Sequence, residues 1–155
     1  MLLGLVTAAI ALIIDQVTKY WILNDVLQDR VMIIFTPFFS LVRAWNTGVS
    51  FSMFNDWGLS GVIILSVVAF SIIAFLINWL RKEPSKLIQV ALGLIIGGAL
   101  GNVADRIRLG AVFDFLDFSF GDYHWPAFNA ADSFICIGAI IVIAHGLLVK
   151  SKQAA

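Results

Sequence analysis

Four long apolar runs divide the chain: Leu2–Leu23, Leu59–Leu80, Leu87–Ala104 and Ala130–Val149. An α-helix rises about 1.5 Å per residue, so about 20 residues cross the hydrocarbon core of a bilayer. Leu87–Ala104 is the shortest run and is adequate if its polar groups line a protein-facing surface. Lipid offers no partner for open backbone groups, so these runs must be helices. Leu2–Ile14 has the look of a signal-peptide core, but no basic segment precedes it. Asp15-Gln16 follows it in place of a small-residue cleavage site, and apolar character resumes through Tyr20-Trp21-Ile22-Leu23. We therefore read it as a retained first span.

The segments between the runs are patterned too. Val31–Phe39 and Leu41–Trp45 are rich in β-branched and aromatic residues, with a break at Thr36-Pro37. Ala111–Phe118 alternates with period two toward its end. These read as short strands, which predicts a small sheet resting on the membrane surface. With no internal repeat or low-complexity segment, residues 1–155 form a single domain.

Composition agrees with lipid as the solvent. The chain is 61% hydrophobic and 13% charged, against roughly 25% charged in soluble domains, and its mean hydropathy is +0.97. Net charge is zero and no basic stripe appears, which excludes a nucleic-acid partner. The single cysteine, Cys136, allows no internal disulfide and reads as a small packing residue. Cys136, His124 and His145 are too few and too scattered for a zinc site, so no metal and no cofactor are expected.

Charge placement sets the orientation. The link between the second and third runs carries Arg81, Lys82 and Lys86, and the C-terminus carries Lys150 and Lys152. Basic residues stay inside, so this link and both termini are expected in the cytoplasm. Asn24–Gly58 and Ile107–Asn129 then face outward. All nine aspartates fall in the outer segments or the outer parts of the spans, while Glu83 lies in the inner link. Topology explains acids such as Asp25 and Asp29. It does not explain acids within spans, which are costly and functional by default.

Several polar groups fall at telling spacings. Asp15 and Lys19 are four residues apart on one helix face, which predicts an intrahelical ion pair with Lys19 snorkelling outward. Gly93, Gly97 and Gly101 make overlapping Gly-x-x-x-Gly spacings, a close-packing face. Asn102, Asp105 and Arg106 follow on one face, where Arg106 is suited to tie down a carboxylate and hold neighbouring backbone. Gly110 is suited to end that helix. Asn129 is a good N-cap for the last span, and Asp132 three residues later resembles a capping box, a role compatible with a second one. Asp114 lies in Val112-Phe113-Asp114-Phe115, an apolar setting where a carboxyl resists ionisation. Two such carboxyls facing each other would share one proton, the arrangement by which aspartic proteases activate water and polarise a carbonyl. Asp105, Asp114 and Asp132 all lie near the outer membrane level, and spacing leaves open which two meet.

Other chemistries fit less well. Ser50 or Ser52 with Lys19 would make a Ser–Lys dyad, but no motif sharpens either serine and Asp15 already faces Lys19. No Gly-x-Ser-x-Gly or phosphate loop occurs. A proton- or ion-coupled transporter would need polar residues along a route through the bilayer, and the inner halves of the spans offer little beyond His145 and Asn78. A purely structural assembly protein leaves the cost of Asp15, Asp105 and Arg106 unexplained.

Five blocks, in order, carry a family resemblance: Asp15-Gln16-Val17-Thr18-Lys19, Asn46-Thr47-Gly48-Val49-Ser50-Phe51-Ser52, Gly101-Asn102-Val103-Ala104-Asp105-Arg106, Val112-Phe113-Asp114-Phe115 and Phe128-Asn129-Ala130-Ala131-Asp132. Together they resemble lipoprotein signal peptidase, the bacterial type II signal peptidase family, over nearly the whole chain. The resemblance implies an α-helical membrane protein with four transmembrane helices, an outer β-cradle and a short outer amphipathic helix. It implies an aspartic endopeptidase of the bacterial cytoplasmic (inner) membrane, with its site near the outer face. Its partners would be membrane lipid and a diacylglyceryl-modified prolipoprotein, cleaved just before the lipidated cysteine. By the same resemblance Asp114 and Asp132 are the catalytic pair. Asp15, Lys19, Asn46, Gly48, Asn102, Asp105, Arg106, Asn129 and Ala131 match the other motif positions, as substrate-binding or supporting residues. Phe51, Met53, Phe54 and Trp57 are then candidates for an interfacial flap or anchor. The sequence sets no oligomeric state and is compatible with a monomer.

Overall fold

The computed structural model describes residues 1–48, 58–121 and 123–153. Four helices are long and apolar enough to cross a membrane, over Leu2–Val26, Ser60–Lys82, Lys86–Leu109 and Ala130–Leu148. They belong to α1 (Leu2–Trp21, continued by a π-helical turn over Ile22–Val26), α2 (Gly58–Lys82), α3 (Lys86–Leu109) and α4 (Ala130–Gln153). Four strands complete the fold: β1 (Met32–Thr36), β2 (Phe39–Asn46), β3 (Val112–Phe120) and β4 (Tyr123–His124).

The most buried span is α3, and its glycines explain why. A Cβ on Gly93 would meet the carbonyl of Gly4 and the side chain of Thr7, and one on Gly97 would meet the carbonyl of Ala8 and Cβ of Ala11. A Cβ on Gly101 would meet the Asp15 carboxylate. The Gly-x-x-x-Gly stripe is thus the α1 seam. On another face, Gly98 lies against the Ala131 carbonyl of α4, while Gly138 of α4 lies against the Ala91 carbonyl of α3. Backbones this close leave room for short polar side chains to reach between helices, which is how buried hydrogen bonds become possible in lipid. Below the polar residues the bundle is filled by Ile73, Leu76, Leu80, Ile88, Leu92 and Ile96.

The third helix runs past the apolar stretch that marks it in sequence. It continues to Leu109 because Asn102, Asp105 and Arg106 find partners inside the protein. It stops at Gly110, whose left-handed φ of 75° suits a residue without Cβ and lets its N–H bond the Arg106 carbonyl. Reversal at Gly110 sends the chain into β3.

The sheet is antiparallel in the order β1-β2-β3-β4. The break at Thr36-Pro37 is the β1–β2 turn, and β2 starts at Phe39, two residues earlier than the sequence pattern suggests. The short β4 has no counterpart in the sequence reading. A bulge between Leu41 and Ala44 sets Ala44 opposite Asp114 and Asn46 opposite Val112. Leu27, Leu41, Phe113 and Phe115 form the apolar core under the sheet. Phe128 bonds the backbones of Phe115 and Leu116, which draws the start of α4 alongside β3. Among the described residues no separate short helix accompanies the sheet; the Ile22–Val26 turn is continuous with α1. Phe51, Met53, Phe54, Trp57 and the serines at 50 and 52 lie outside the described residues.

Replacing Gly97 with Ala pushes a methyl group into the Ala8 backbone, which cannot yield as a flexible side chain can. Overpacking of this kind costs about 1–3 kcal/mol. Thermal unfolding in detergent should show a clearly lowered Tm for Gly97→Ala, and little change for Gly146→Ala, where a Cβ meets nothing within 4 Å.

Candidate active site

The polar residues assemble at the end of the bundle that carries the sheet. At the base is Lys19, buried at 4% exposure. It does not snorkel outward. Its Nζ lies 2.9 Å from Asp15 Oδ2 and 2.9 Å from Asp105 Oδ2, and donates to Asn102 Oδ1 at 3.1 Å. An ammonium has three donors, and three acceptors surround this one. A lysine on α1 thus takes the part the sequence suggested for Arg106, tying down the α3 carboxylate.

The remaining acceptor sites on the two carboxylates are also filled. Asp15 Oδ1 accepts from the backbone N–H of Ala131 at 2.9 Å, a first-turn amide of α4 with no partner inside its own helix. Ala131 is fully buried and its carbonyl contacts Gly98, so any larger side chain there would have to part α3 from α4. Asp105 Oδ2 accepts from the Phe113 N–H at 3.2 Å, fixing the start of β3. Gln16 Nε2 reaches Asp15 Oδ2, Asp105 Oδ1 and the Gly101 carbonyl at 3.0–3.2 Å. Gln16 went unmarked as a site residue in sequence. Its signals are the polar pair Asp15-Gln16 inside an apolar run and its place in the Asp15–Lys19 block.

Above this base two asparagines relay the order outward. With its Oδ1 held by Lys19, Asn102 turns its NH₂ group to Asp132 Oδ1 at 2.8 Å. Asn129 is fully buried, donates to Asp114 Oδ1 at 2.6 Å and to Asn102 Oδ1 at 3.1 Å, and accepts from the Asp132 N–H at 3.0 Å. Asp132 Oδ2 returns the bond to the Asn129 N–H at 3.1 Å. The capping box is therefore real, and its cap also holds Asp114. Asn46 of β2 donates to Asp114 Oδ2 at 3.2 Å, so the carboxyl has partners that its apolar neighbours in sequence do not announce.

Of the three carboxyls that spacing left open, Asp105 pairs with Lys19, while Asp114 and Asp132 are both held by Asn129. Burial, first, and the neighbouring charge of Asp132, second, push the Asp114 carboxyl up to about 7, against the opposing pull of Asn46, Asn129 and Lys19. Near neutral pH this carboxyl can hold or release a proton at low cost.

Arg106 closes one side. Its Nη2 donates to the Gly48 carbonyl at 3.1 Å, and the Gly48 N–H donates to Asn46 Oδ1 at 3.1 Å. The turn after β2 is thereby held from both sides, next to the Asn46 that touches Asp114. Among the described residues Arg106 makes no ion pair, so it holds backbone and not a carboxylate. On the other side an apolar cleft of about 550 Å³, lined by Trp125, Phe128, Ile135 and Cys136, leads to Asp132. Cys136 is exposed on α4, so it is not the packing residue its apolar surroundings suggested.

Fold and site define a class: a multi-pass membrane protein with two neighbouring carboxyls, Asp114 buried and Asp132 half-buried, where the helix bundle meets a small sheet. Comparison narrows it. The family model described as Signal peptidase (SPase) II matches residues 7–148. The lipoprotein signal peptidase of Aeromonas hydrophila subsp. hydrophila is 43% identical over 148 residues, covering 94% of this chain and 89% of that one. That of Rhodopseudomonas palustris strain TIE-1 is 41% identical over 152 residues, covering 94% and 92%. A bacterial membrane enzyme solved by the in meso method at 2.3 Å superposes with a TM-score of 0.83 at 29% identity, covering 97% of this chain and 90% of that one. The chain belongs to the signal peptidase II family, the peptidases that cleave signal peptides from prolipoproteins.

Lys19→Met leaves two buried carboxylates without their counter-ion. Removing one partner of a buried ion pair costs about 3–5 kcal/mol. Unfolding in detergent should show a loss of that order, and adding Asp105→Asn to Lys19→Met should restore part of it. If the double variant is no more stable than Lys19→Met, the three groups are not coupled as described.

Proposed function

We propose that the chain is an aspartic endopeptidase that removes the signal peptide from diacylglyceryl-modified prolipoproteins, with Asp114 and Asp132 as its catalytic pair. The observation that carries this reading is the shared grip of Asn129 on both carboxyls, its side chain on Asp114 and its backbone N–H on Asp132, with Asp114 pushed up to about 7. Asp132 lies in the first turn of α4 and accepts from Asn102 and from the Asn129 backbone, so it is the member suited to take a proton from water. Asp114, protonated, donates to the scissile carbonyl oxygen. As water adds to the carbonyl carbon, its proton passes to Asp132 and the Asp114 proton moves to the carbonyl oxygen. Collapse breaks the C–N bond, the departing amine takes the proton from Asp132, and Asp114 regains its own.

Asp15, Lys19 and Asp105 do not enter these steps. With Gln16, Asn102 and Arg106 they position Asn129, Asp132 and the Asn46–Gly48 turn. A signal helix lies in lipid, so the apolar cleft beside Asp132 supplies the approach for the residues flanking the bond. Basic residues Arg81, Lys82 and Lys86 in the α2–α3 link favour a cytoplasmic placement of that link and of both termini, and hence an outward-facing site. The polar network stops at Asp15 and Lys19 among the described residues, which disfavours a proton path across the bilayer.

Asp114→Asn and Asp132→Asn should each lower cleavage of a lipidated prolipoprotein by about 10²–10⁴-fold, with normal insertion checked by thermal unfolding. Wild-type rates on either variant would sink the assignment. The same assay should show no turnover of a precursor whose cysteine lacks the diacylglyceryl group.

The pH profile gives an independent check. The Asp114 proton is present below about 7 and lost above it, so kcat/KM should fall as pH rises through that value. Asn46 favours the ionised form; removing it with Asn46→Ala raises the carboxyl further and should move the falling limb to higher pH. A limb that stays in place would show that another group controls it.

A further inference from the structure

On the far side of β2 from Asp114 lies a second, polar cleft of about 540 Å³. It is lined by Leu23, Asn24, Gln28, Asp29, Arg43 and Trp45. None of these residues belongs to the site described above. The volume is typical of a site for a small ligand or headgroup.

Arg43 is the unexplained group. The bulge between Leu41 and Ala44 sits at this residue, and its backbone N–H bonds the Val31 carbonyl at 2.8 Å. Its guanidinium makes no hydrogen bond and no ion pair among the described residues, and its Nε is buried without an acceptor. A guanidinium carries five donors and no acceptor; the buried Nε of this half-buried side chain is the donor left unmatched at a cost, and the others are free to take a ligand. Asp29 lines the same cleft and forms no ion pair either. The amide NH₂ groups of Asn24 and Gln28 each donate to a local carbonyl, of Tyr20 and Asp25, and their oxygens remain as acceptors. The cleft therefore offers an anion site at Arg43 together with acceptors and a carboxylate. That is the complement of a ligand bearing both charges.

Its depth points the same way. Leu23 and Asn24 stand near the end of the first span, Leu2–Val26. Tyr20 and Trp21, just before them, are 68% and 56% exposed, as aromatic residues at the headgroup level are. Trp45 at the cleft wall packs against Phe113 with the rings tilted at 43° and their centroids 5.4 Å apart.

We propose that this cleft binds the headgroup of a zwitterionic phospholipid, its phosphate on Arg43 and its ammonium on Asp29. The lipid braces β2 from behind, one residue from the Asn46 that holds Asp114.

Native mass spectrometry of the purified chain in detergent tests this. Phosphatidylethanolamine, phosphatidylglycerol and diacylglycerol are offered in turn, with soluble phosphoethanolamine and inorganic phosphate as competitors. Phosphatidylethanolamine should be retained about tenfold or more over diacylglycerol, the scale of one charge-assisted contact, and several-fold over phosphatidylglycerol. Arg43→Gln should remove the first preference, and Asp29→Asn should remove the second alone. Should Arg43→Gln fail to fold, Arg43→Lys, which keeps the charge but not the fork, should retain the lipid at reduced strength. Equal retention of all three lipids, or retention unchanged in Asp29→Asn and either Arg43 variant, overturns the proposal. Displacement by inorganic phosphate as effective as by phosphoethanolamine assigns the cleft to free phosphate and overturns it too.

Discussion

A lysine held between two carboxylates inside a membrane bundle is the constraint on which the rest depends. Taking charges out of water is expensive, and their attraction repays it only when geometry is close and every spare donor and acceptor is matched. Here Lys19 meets Asp15, Asp105 and Asn102, and the carboxylates' other positions are taken by Gln16 and by the N–H groups of Ala131 and Phe113. The cluster therefore locks α1, α3, the first turn of α4 and the start of β3 into one arrangement. It can form only because Gly97, Gly98 and Gly101 let the backbones come so close.

The aspartates of this chain show how environment divides one chemical group into several roles. Asp15 and Asp105 sit against an ammonium and act as struts. Asp132 closes a capping box. Asp114 has amide donors and, among the described residues, no ion pair, and burial with a carboxyl neighbour outweighs the pull of Lys19 and leaves its proton mobile near neutrality. The distinction lies in what surrounds each carboxyl. The same logic explains why a lysine so near the site is no candidate for a free base: its three donors are committed.

Local pattern made much of this legible. Run length gave the spans, Gly93-Gly97-Gly101 gave the α1 seam, Gly110 gave the end of α3, and Asn129 with Asp132 gave the start of α4. Each depends on residues a few positions apart. What stayed hidden depends on distant partners. Lys19 looked free to snorkel because Asp105 lies far along the chain. Asp114 looked friendless because Asn46 and Asn129 reach it from another strand and from the α4 cap. Gln16 carried no periodic signal, and α3 outran its apolar stretch because its last polar turn is satisfied by contacts that hydropathy cannot see. Spacing alone leaves Asp105, Asp114 and Asp132 equivalent, because the Lys19 that pairs with Asp105 lies 86 positions earlier in the chain.

Among the described residues the Ala131 amide is satisfied by Asp15 alone, a residue 116 positions earlier. The last helix therefore cannot settle with its first turn fully bonded until the first helix is in place beside it. Insertion of the final span and completion of the carboxyl pair become a single event in the life of the molecule. A partly threaded chain lacks the Asp15 tie that seats the first turn of α4, so the polar cluster is complete only once the first and last spans have met.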